Sequence, residues 1–231
     1  MLALVAAEAR EFAGIRRRAE RDVKLDWPID FARTMWVNGN AMLLVANGPG
    51  PKLAARAVEV TRERQKLDGL VSTGFCGALD PDLQVADIFV ATGIVSGGYE
   101  ETLARPLSSA NGQAHVGKLL SVNHVAWTAA EKSALRKTGA GAIEMEAAAV
   151  AGKASEYILP FYCVRVVSDV AGEDMPFDFN EMRDDDGRFS RGKILASAFL
   201  RPWKFGDLMK LDNNCKKAAE ALGDFIANAR F

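Results

Sequence analysis

Short apolar runs recur along the chain, bounded by glycine, proline and asparagine, and several lead into segments of helical composition. Residues 2–6, Leu-Ala-Leu-Val-Ala, read as a first buried strand. Residues 8–18 follow as a helix, with Glu8 and Glu11 early and Arg16-Arg17-Arg18 late, an order that suits the helix dipole. Residues 34–37 and 41–46 form two strands around Asn38-Gly39, a strong hairpin signal. A Gly48-Pro49-Gly50 turn then feeds a helix over 53–67. Residues 69–79 predict a strand running into a glycine-rich turn, and 87–92 the next strand. Residues 96–117, with Gly97-Gly98, Pro106 and Gly112, have no clear period and read as a loop-rich excursion. The sheet resumes at 119–122, and a helix starts near Ala129.

Two later stretches carry the candidate chemistry. A short apolar strand ends in Glu144-Met145-Glu146, and an alanine-rich helix begins at once. The run Phe161 to Val167, largely β-branched and aromatic, leads into Ser168-Asp169, where Gly172 and Pro176 argue against a regular helix. Ligands of open α/β sheets bind at the carboxyl ends of strands, so three acids gathered there predict a site. Glu144 has a second reading, as an acid at a helix start stabilised by the dipole. Asp169 has one as a helix cap, Met145 one as core packing, and Arg165, inside an apolar strand, reads as a buried ion-pair partner. After Asp169 a long connection bearing Phe177, Phe179 and Asp184-Asp185-Asp186-Gly187 predicts a flap over the site, the acid run being a solvated turn. Helices over 193–200 and 213–229 close the chain.

Composition narrows the class of function. With 231 residues and 49% hydrophobic content, the chain can bury roughly 70–75% of its unfolded surface as one domain, and an α/β domain over 1–231 is expected. A formal net charge of −1 offers no basic field for nucleic acid, which favours small-molecule chemistry. Cys76, Cys163 and Cys215 are odd in number and widely spaced, so neither a disulfide framework nor a metal cage is expected, and a reduced cytoplasm is the expected compartment. No apolar run reaches the ~20 residues of a membrane span, and the first residues lack the basic start of a signal peptide.

The succession Ile143-Glu144-Met145-Glu146-Ala147-Ala148-Ala149-Val150-Ala151, followed by Pro160-Phe161-Tyr162-Cys163-Val164-Arg165-Val166-Val167-Ser168-Asp169-Val170-Ala171, resembles the purine nucleoside phosphorylase and methylthioadenosine/S-adenosylhomocysteine nucleosidase superfamily. The likeness covers most of the chain and weakens between Ser96 and Lys118. It implies an α/β three-layer sandwich whose central mixed, partly barrel-like sheet is flanked by helices. It further implies that Met145 and Glu146 grip a ribose, with Glu144 beside them, and that Asp169, next to Ser168, protonates a leaving purine. Glu11 best matches the glutamate that directs the attacking water, with Glu8 as runner-up; both are otherwise first-turn acids. Gly48 and Gly50 match a loop beside the nucleophile. Gly74, Phe75 and Cys76 fall on a turn near base and sugar, and His124 and Val125 on the base side together with Trp127. His124 and Trp127 have the rival reading of a solvated His and a core Trp. Phe177 or Phe179 corresponds to the residue lining the 5′-substituent pocket, with Phe177 the one expected there. Ser72 and Phe75 stand where phosphorylases carry a phosphate-binding arginine and serine, a loss of charge-assisted bonds that tilts toward water, although Lys52 or Arg56 could supply charge.

The implied function is hydrolysis of the N-glycosidic bond of a 5′-substituted adenosine. The alternatives are phosphorolysis of a purine nucleoside and, from another class, nucleoside binding without catalysis. No cofactor, metal, nucleic acid or membrane partner is expected, phosphate is a possible partner, and a homo-oligomer, most simply a dimer, is implied. Residues 201–203 and 213–217 are similar to the ending of a hopanoid-linked branch, which implies a larger apolar 5′-group.

Overall fold

The structure, a computed structural model, describes residues 1–97, 100–110, 113–184 and 187–231. Its central sheet is mixed. Strand β1 (Leu2–Ala6) runs parallel to both β4 (Asn40–Ala46) and β5 (Gly69–Ala78), and β3 (Phe31–Val37) and β2 (Arg21–Lys24) continue outward from β4 as antiparallel neighbours. Asn38 and Gly39 join β3 to β4 with φ of 49° and 75°, the paired positive values that a two-residue type I′ turn needs. On the other side of β5 lie β11 (Phe161–Asp169), β6 (Ile88–Ser96), β9 (His115–Ser121) and β10 (Ala142–Glu144). Strand β10 pairs with β9 and also with β5, so these five strands close on themselves into a small barrel, while β4, β3 and β2 remain an open arm.

Alternation along the strands sends side chains into two cores. Ala3, Val5, Leu43, Val45 and Cys163 meet α2 (Pro51–Arg64) and α4 (Ala147–Glu156) on one face. Leu4, Leu44, Val164 and Val166 meet α1 (Ala13–Arg17) and the long α6 (Phe205–Ala227) on the other. The sheet is thus covered on both faces, which is why its strands read as continuous apolar runs rather than as polar–apolar alternation.

Several boundaries differ from the sequence expectations. The excursion over 96–117 contains strand: β6 runs on to Ser96, β7 (Glu100–Leu103) pairs with it, the short β8 (Ser108–Ser109) pairs with β12 (Ala229–Arg230), and β9 begins at His115. Gly98 and Gly112 lie outside the described residues, as do Asp185 and Asp186. No turn interrupts residues 69–78; β5 continues through Gly74 at φ +122°. Strand β2 gave no signal because its residues, Arg-Asp-Val-Lys, are polar and partly exposed at the sheet edge. Helix α6 begins at Phe205, not near 213, because its regular burial starts only at Cys215. Helix α5 (Arg191–Leu200) follows the long connection. Among the described residues no helix is long and apolar enough to cross a membrane.

Helices α1 and α6 cross at glycine. A Cβ on Gly223 would lie 2.3 Å from the backbone carbon of Gly14 and 2.4 Å from the nitrogen of Ile15. No rotamer can relieve a clash with backbone, and overpacking of this kind costs ~1–3 kcal/mol or more. Gly223→Ala is expected to lower stability by about 3 kcal/mol in urea unfolding with an unchanged slope. A loss under about 1 kcal/mol would mean that the two helices do not touch there.

Candidate active site

The carboxyl ends of β1, β5, β10 and β11 open into one cavity of about 520 Å³. Its floor is acidic. Glu11, Glu144, Glu146 and Asp169 all reach it, and the far wall is apolar, with Met175, Phe179 and Phe189 from the long connection, Ile194 from α5 and Leu208 and Met209 from α6.

Each acid is held differently. Glu11 lies in a 3-10 turn (Ala9–Phe12) after β1 and accepts N–H bonds from Glu8 and Phe75, both at 2.7 Å. This approach requires glycine at position 74, where a Cβ would lie 2.5 Å from Glu11 Oε1. Burial raises the Glu11 pKa above the ordinary carboxylate value. Glu8 instead pairs with Arg10 at 2.6 Å and is more exposed, so Glu11 is the buried member of the pair.

Glu144 and Glu146 flank the start of α4. Glu144 accepts from the backbone N–H groups of Glu146 and Ala147, 2.8 and 2.9 Å away, and from the Arg165 guanidinium. Its carboxylate is therefore spent on a helix start and an ion pair, the rival reading raised by its position in the sequence. Glu146 accepts from Gly50 N–H at 2.8 Å, and its other oxygen lies 3.4 Å from Arg165. Burial, and then the neighbouring Glu144, push its pKa up from 4.5 to about 8. Arg165 is wholly buried and also donates to Thr73 O and Ser72 Oγ, at 2.8 and 2.7 Å.

At the end of β11, Asp169 takes a 2.6 Å bond from the buried Lys132 ammonium at Oδ2, and the Ser168 hydroxyl lies 2.8 Å from Oδ1. Lys132, on α3 (Ala129–Leu135), carried no signal in the sequence, because Ala-Ala-Glu-Lys-Ser reads as an ordinary helix surface. Arg10, inside the helical composition of residues 8–18, carried none for the same reason, and Asn180 carried none because it stands in the irregular connection after β11. Arg10 lines the cavity. Asn180 brackets Val125, accepting its N–H at 2.7 Å and donating to its carbonyl at 2.9 Å.

Of the other residues singled out in the sequence, Met145, Phe75, Cys76, His124, Val125 and Ser168 line the cavity. Gly50 and Gly74 stand behind the wall, close to the side chains of Met145 and Glu11, and the Gly50 N–H is taken by Glu146, whereas Gly48 does not line the cavity and faces the side chains of Leu53 and Arg188. His124 is half-exposed and bonded to Glu131 at 2.9 Å. Trp127 is half-buried and does not line the cavity. Phe177 requires a correction: it is fully buried away from the cavity, and Phe179 lines the wall in its place. The two phenylalanines are neighbours in sequence pattern, and only the path of the connection separates them. Lys52 and Arg56 are exposed and off the cavity. Burial raises the Cys76 and Cys215 thiols, the latter to about 11, so neither is a thiolate at neutral pH.

A half-closed mixed sheet with helices on both faces and a hollow at its strand ends places the protein in the nucleoside phosphorylase-like class of α/β folds. A sequence model described as the phosphorylase superfamily matches residues 2–119 and 99–198, and the chain belongs to that superfamily. A 5′-methylthioadenosine/S-adenosylhomocysteine nucleosidase of Tolumonas auensis is 24% identical over 186 residues, 68% of this chain and 81% of the relative. The nucleosidase of that name from Neisseria meningitidis, solved in complex with methylthio-immucillin-A, superposes with a TM-score of 0.71 at 20% identity, covering 98% of this chain and 96% of that one. A putative nucleosidase from Borrelia burgdorferi bound to adenine gives 0.73 at 14% identity, covering 99% and 98%.

The raised Glu146 pKa has a consequence for stability. Between the ordinary 4.5 and about 8 the folded chain holds a proton on Glu146 that the unfolded chain has released, so stability falls as pH rises through that window. Thermal unfolding from pH 5 to 9 is expected to show a falling midpoint in the wild type and a clearly flatter profile in Glu146→Gln. Parallel profiles would mean that Glu146 does not carry that proton.

Proposed function

We propose that this chain is a purine nucleosidase that hydrolyses the N-glycosidic bond of a 5′-substituted adenosine. The observation that carries the reading is the convergence of Asp169, Glu146 and Glu11 on one cavity from three separate parts of the chain. Cleavage passes through a ribosyl cation-like transition state. It needs an acid for the departing base, a grip on the sugar and a directed nucleophile. Asp169, oriented by Ser168, faces the base and delivers a proton to purine N7. Glu146 takes the ribose hydroxyls, a vicinal pair that a carboxyl can bridge, with Met145 against the sugar face. Glu11 draws the proton from water. Its raised pKa makes it a stronger base than a solvated glutamate, the direction general-base catalysis favours.

The apolar wall of Met175, Phe179, Phe189, Ile194, Leu208 and Met209 suits an apolar 5′-group. Phosphate is the less favourable nucleophile. Ser72 is committed to Arg165, Lys52 and Arg56 are off the cavity, and buried glutamates surround the place a phosphate dianion would occupy. Arg10, the cation lining that end, is already paired with Glu8. A homodimer working in a reducing cytoplasm completes the proposal; all three cysteines are free and buried, as that compartment permits.

Adenine release from 5′-methylthioadenosine in phosphate-free buffer is the expected result, with sedimentation giving the mass of a dimer. Strict dependence on added phosphate would assign phosphorolysis instead, and tight nucleoside binding without release over hours would make the chain a binding protein. Asp169→Asn and Glu11→Gln are each expected to slow release by ~10²–10⁴-fold while nucleoside binding remains measurable. Turnover at the wild-type rate would remove the substituted residue from the mechanism.

A further inference from the structure

Lys132 is the buried titratable group that this mechanism leaves unused. It has no exposed surface, and its helix is fixed at the N-terminus, where Thr128 Oγ1 accepts the Glu131 N–H at 3.1 Å. From there the side chain runs inward to Asp169. Its ammonium meets Asp169 Oδ2 at 2.6 Å, the Val170 carbonyl at 2.9 Å and the Glu173 carbonyl at 3.4 Å, which uses all three of its donors. A lysine is seldom buried completely unless paired, and its partner here is the group assigned to protonate the base.

The pairing raises a difficulty that also suggests its resolution. In the hydrogen bond between them Lys132 Nζ donates and Asp169 Oδ2 accepts, and an accepting oxygen has no proton to give. The pair as a whole does have one, on Lys132, a single short hydrogen bond from Asp169. Arginine in the same place would hold the charge but could not surrender the proton.

We infer that the proton reaching the departing base is stored on the Lys132–Asp169 pair, with Lys132 as its resting donor and Asp169 as the group that passes it on. The inference rests on the nucleosidase reading above. As the C1′–N9 bond breaks, its electron pair moves into the purine. N7 takes a proton from Asp169, and Asp169 takes one from Lys132 Nζ, leaving a neutral amine and a restored carboxylate. No net negative charge accumulates on the base. Water adds at C1′ and gives its proton to Glu11, which returns it to solvent, and Lys132 regains a proton from solvent once the products leave. Lys132 acts through Asp169 and is a positioning residue in this scheme, not one that touches the nucleoside.

The test compares two substrates, 5′-methylthioadenosine and its N7-methylated cation, whose base departs neutral and needs no proton. The full-length wild type, Lys132→Arg and Lys132→Gln are each assayed on both. The expected result is that both variants lose ~10²-fold or more on the unmodified nucleoside and change less than about threefold on the methylated one. The ratio of the two rates therefore falls. A merely structural role for Lys132 would lower both rates together and leave the ratio unchanged. An unchanged ratio in either folded variant overturns the inference, so failure of one variant to fold leaves the other to decide. Absence of base release by the wild type would instead overturn the nucleosidase reading itself.

Discussion

The buried Arg165 guanidinium is the constraint from which the rest of the site follows. It occupies the middle of a β-strand with no exposed surface, where an unpaired charge would be heavily disfavoured. Its partners are Glu144, Glu146, Ser72 and the Thr73 carbonyl, drawn from β5 and from the β10–α4 junction. One ion thereby ties together the strands that close the barrel. It also allows Glu144 and Glu146 to stand side by side out of water, with Glu146 pushed toward its protonated form. Removing one member of such a cluster leaves the others uncompensated, at a cost of several kcal/mol.

The same arrangement divides labour among the carboxylates. Glu144 is saturated by backbone N–H groups and the guanidinium, so it serves the fold. Glu146 receives one N–H and a longer contact with Arg165 and is raised toward neutral pH. Glu11 is buried and held by two backbone N–H groups, and Asp169 sits opposite a lysine. Four acids of nearly identical intrinsic chemistry are thus made different by what surrounds each one. This is how one pocket obtains different roles from carboxyl groups of one kind.

Much of this was legible in the sequence, and the limits are physical. The strand ends bearing Glu144-Met145-Glu146 and Ser168-Asp169 stood out because acids rarely terminate apolar runs without a reason. The Asn38-Gly39 hairpin was equally plain, because few dipeptides accept two positive φ values. What stayed hidden depended on partners distant in sequence. Lys132 looks like any surface lysine until α3 is placed against the end of β11. Phe177 and Phe179 share a pattern, and the chain path alone turns one inward to the core and the other to the cavity. The first half of α6 lacks a buried stripe, so no apolar period marked its start. The strands within 96–117 pair at the barrel's rim, where few side chains are buried and the alternation that announces a strand is lost.

The cavity is built from two kinds of wall. Its acidic floor belongs to strand termini locked by the barrel, whereas its apolar side comes from the connection after β11, from α5 and from α6, segments that follow the last barrel strand in the chain. Sequence change in that cover can reshape the space offered to the remote end of a bound molecule without moving a single acid. A scaffold of this kind lets selectivity drift between descendants while the reactive apparatus is inherited intact.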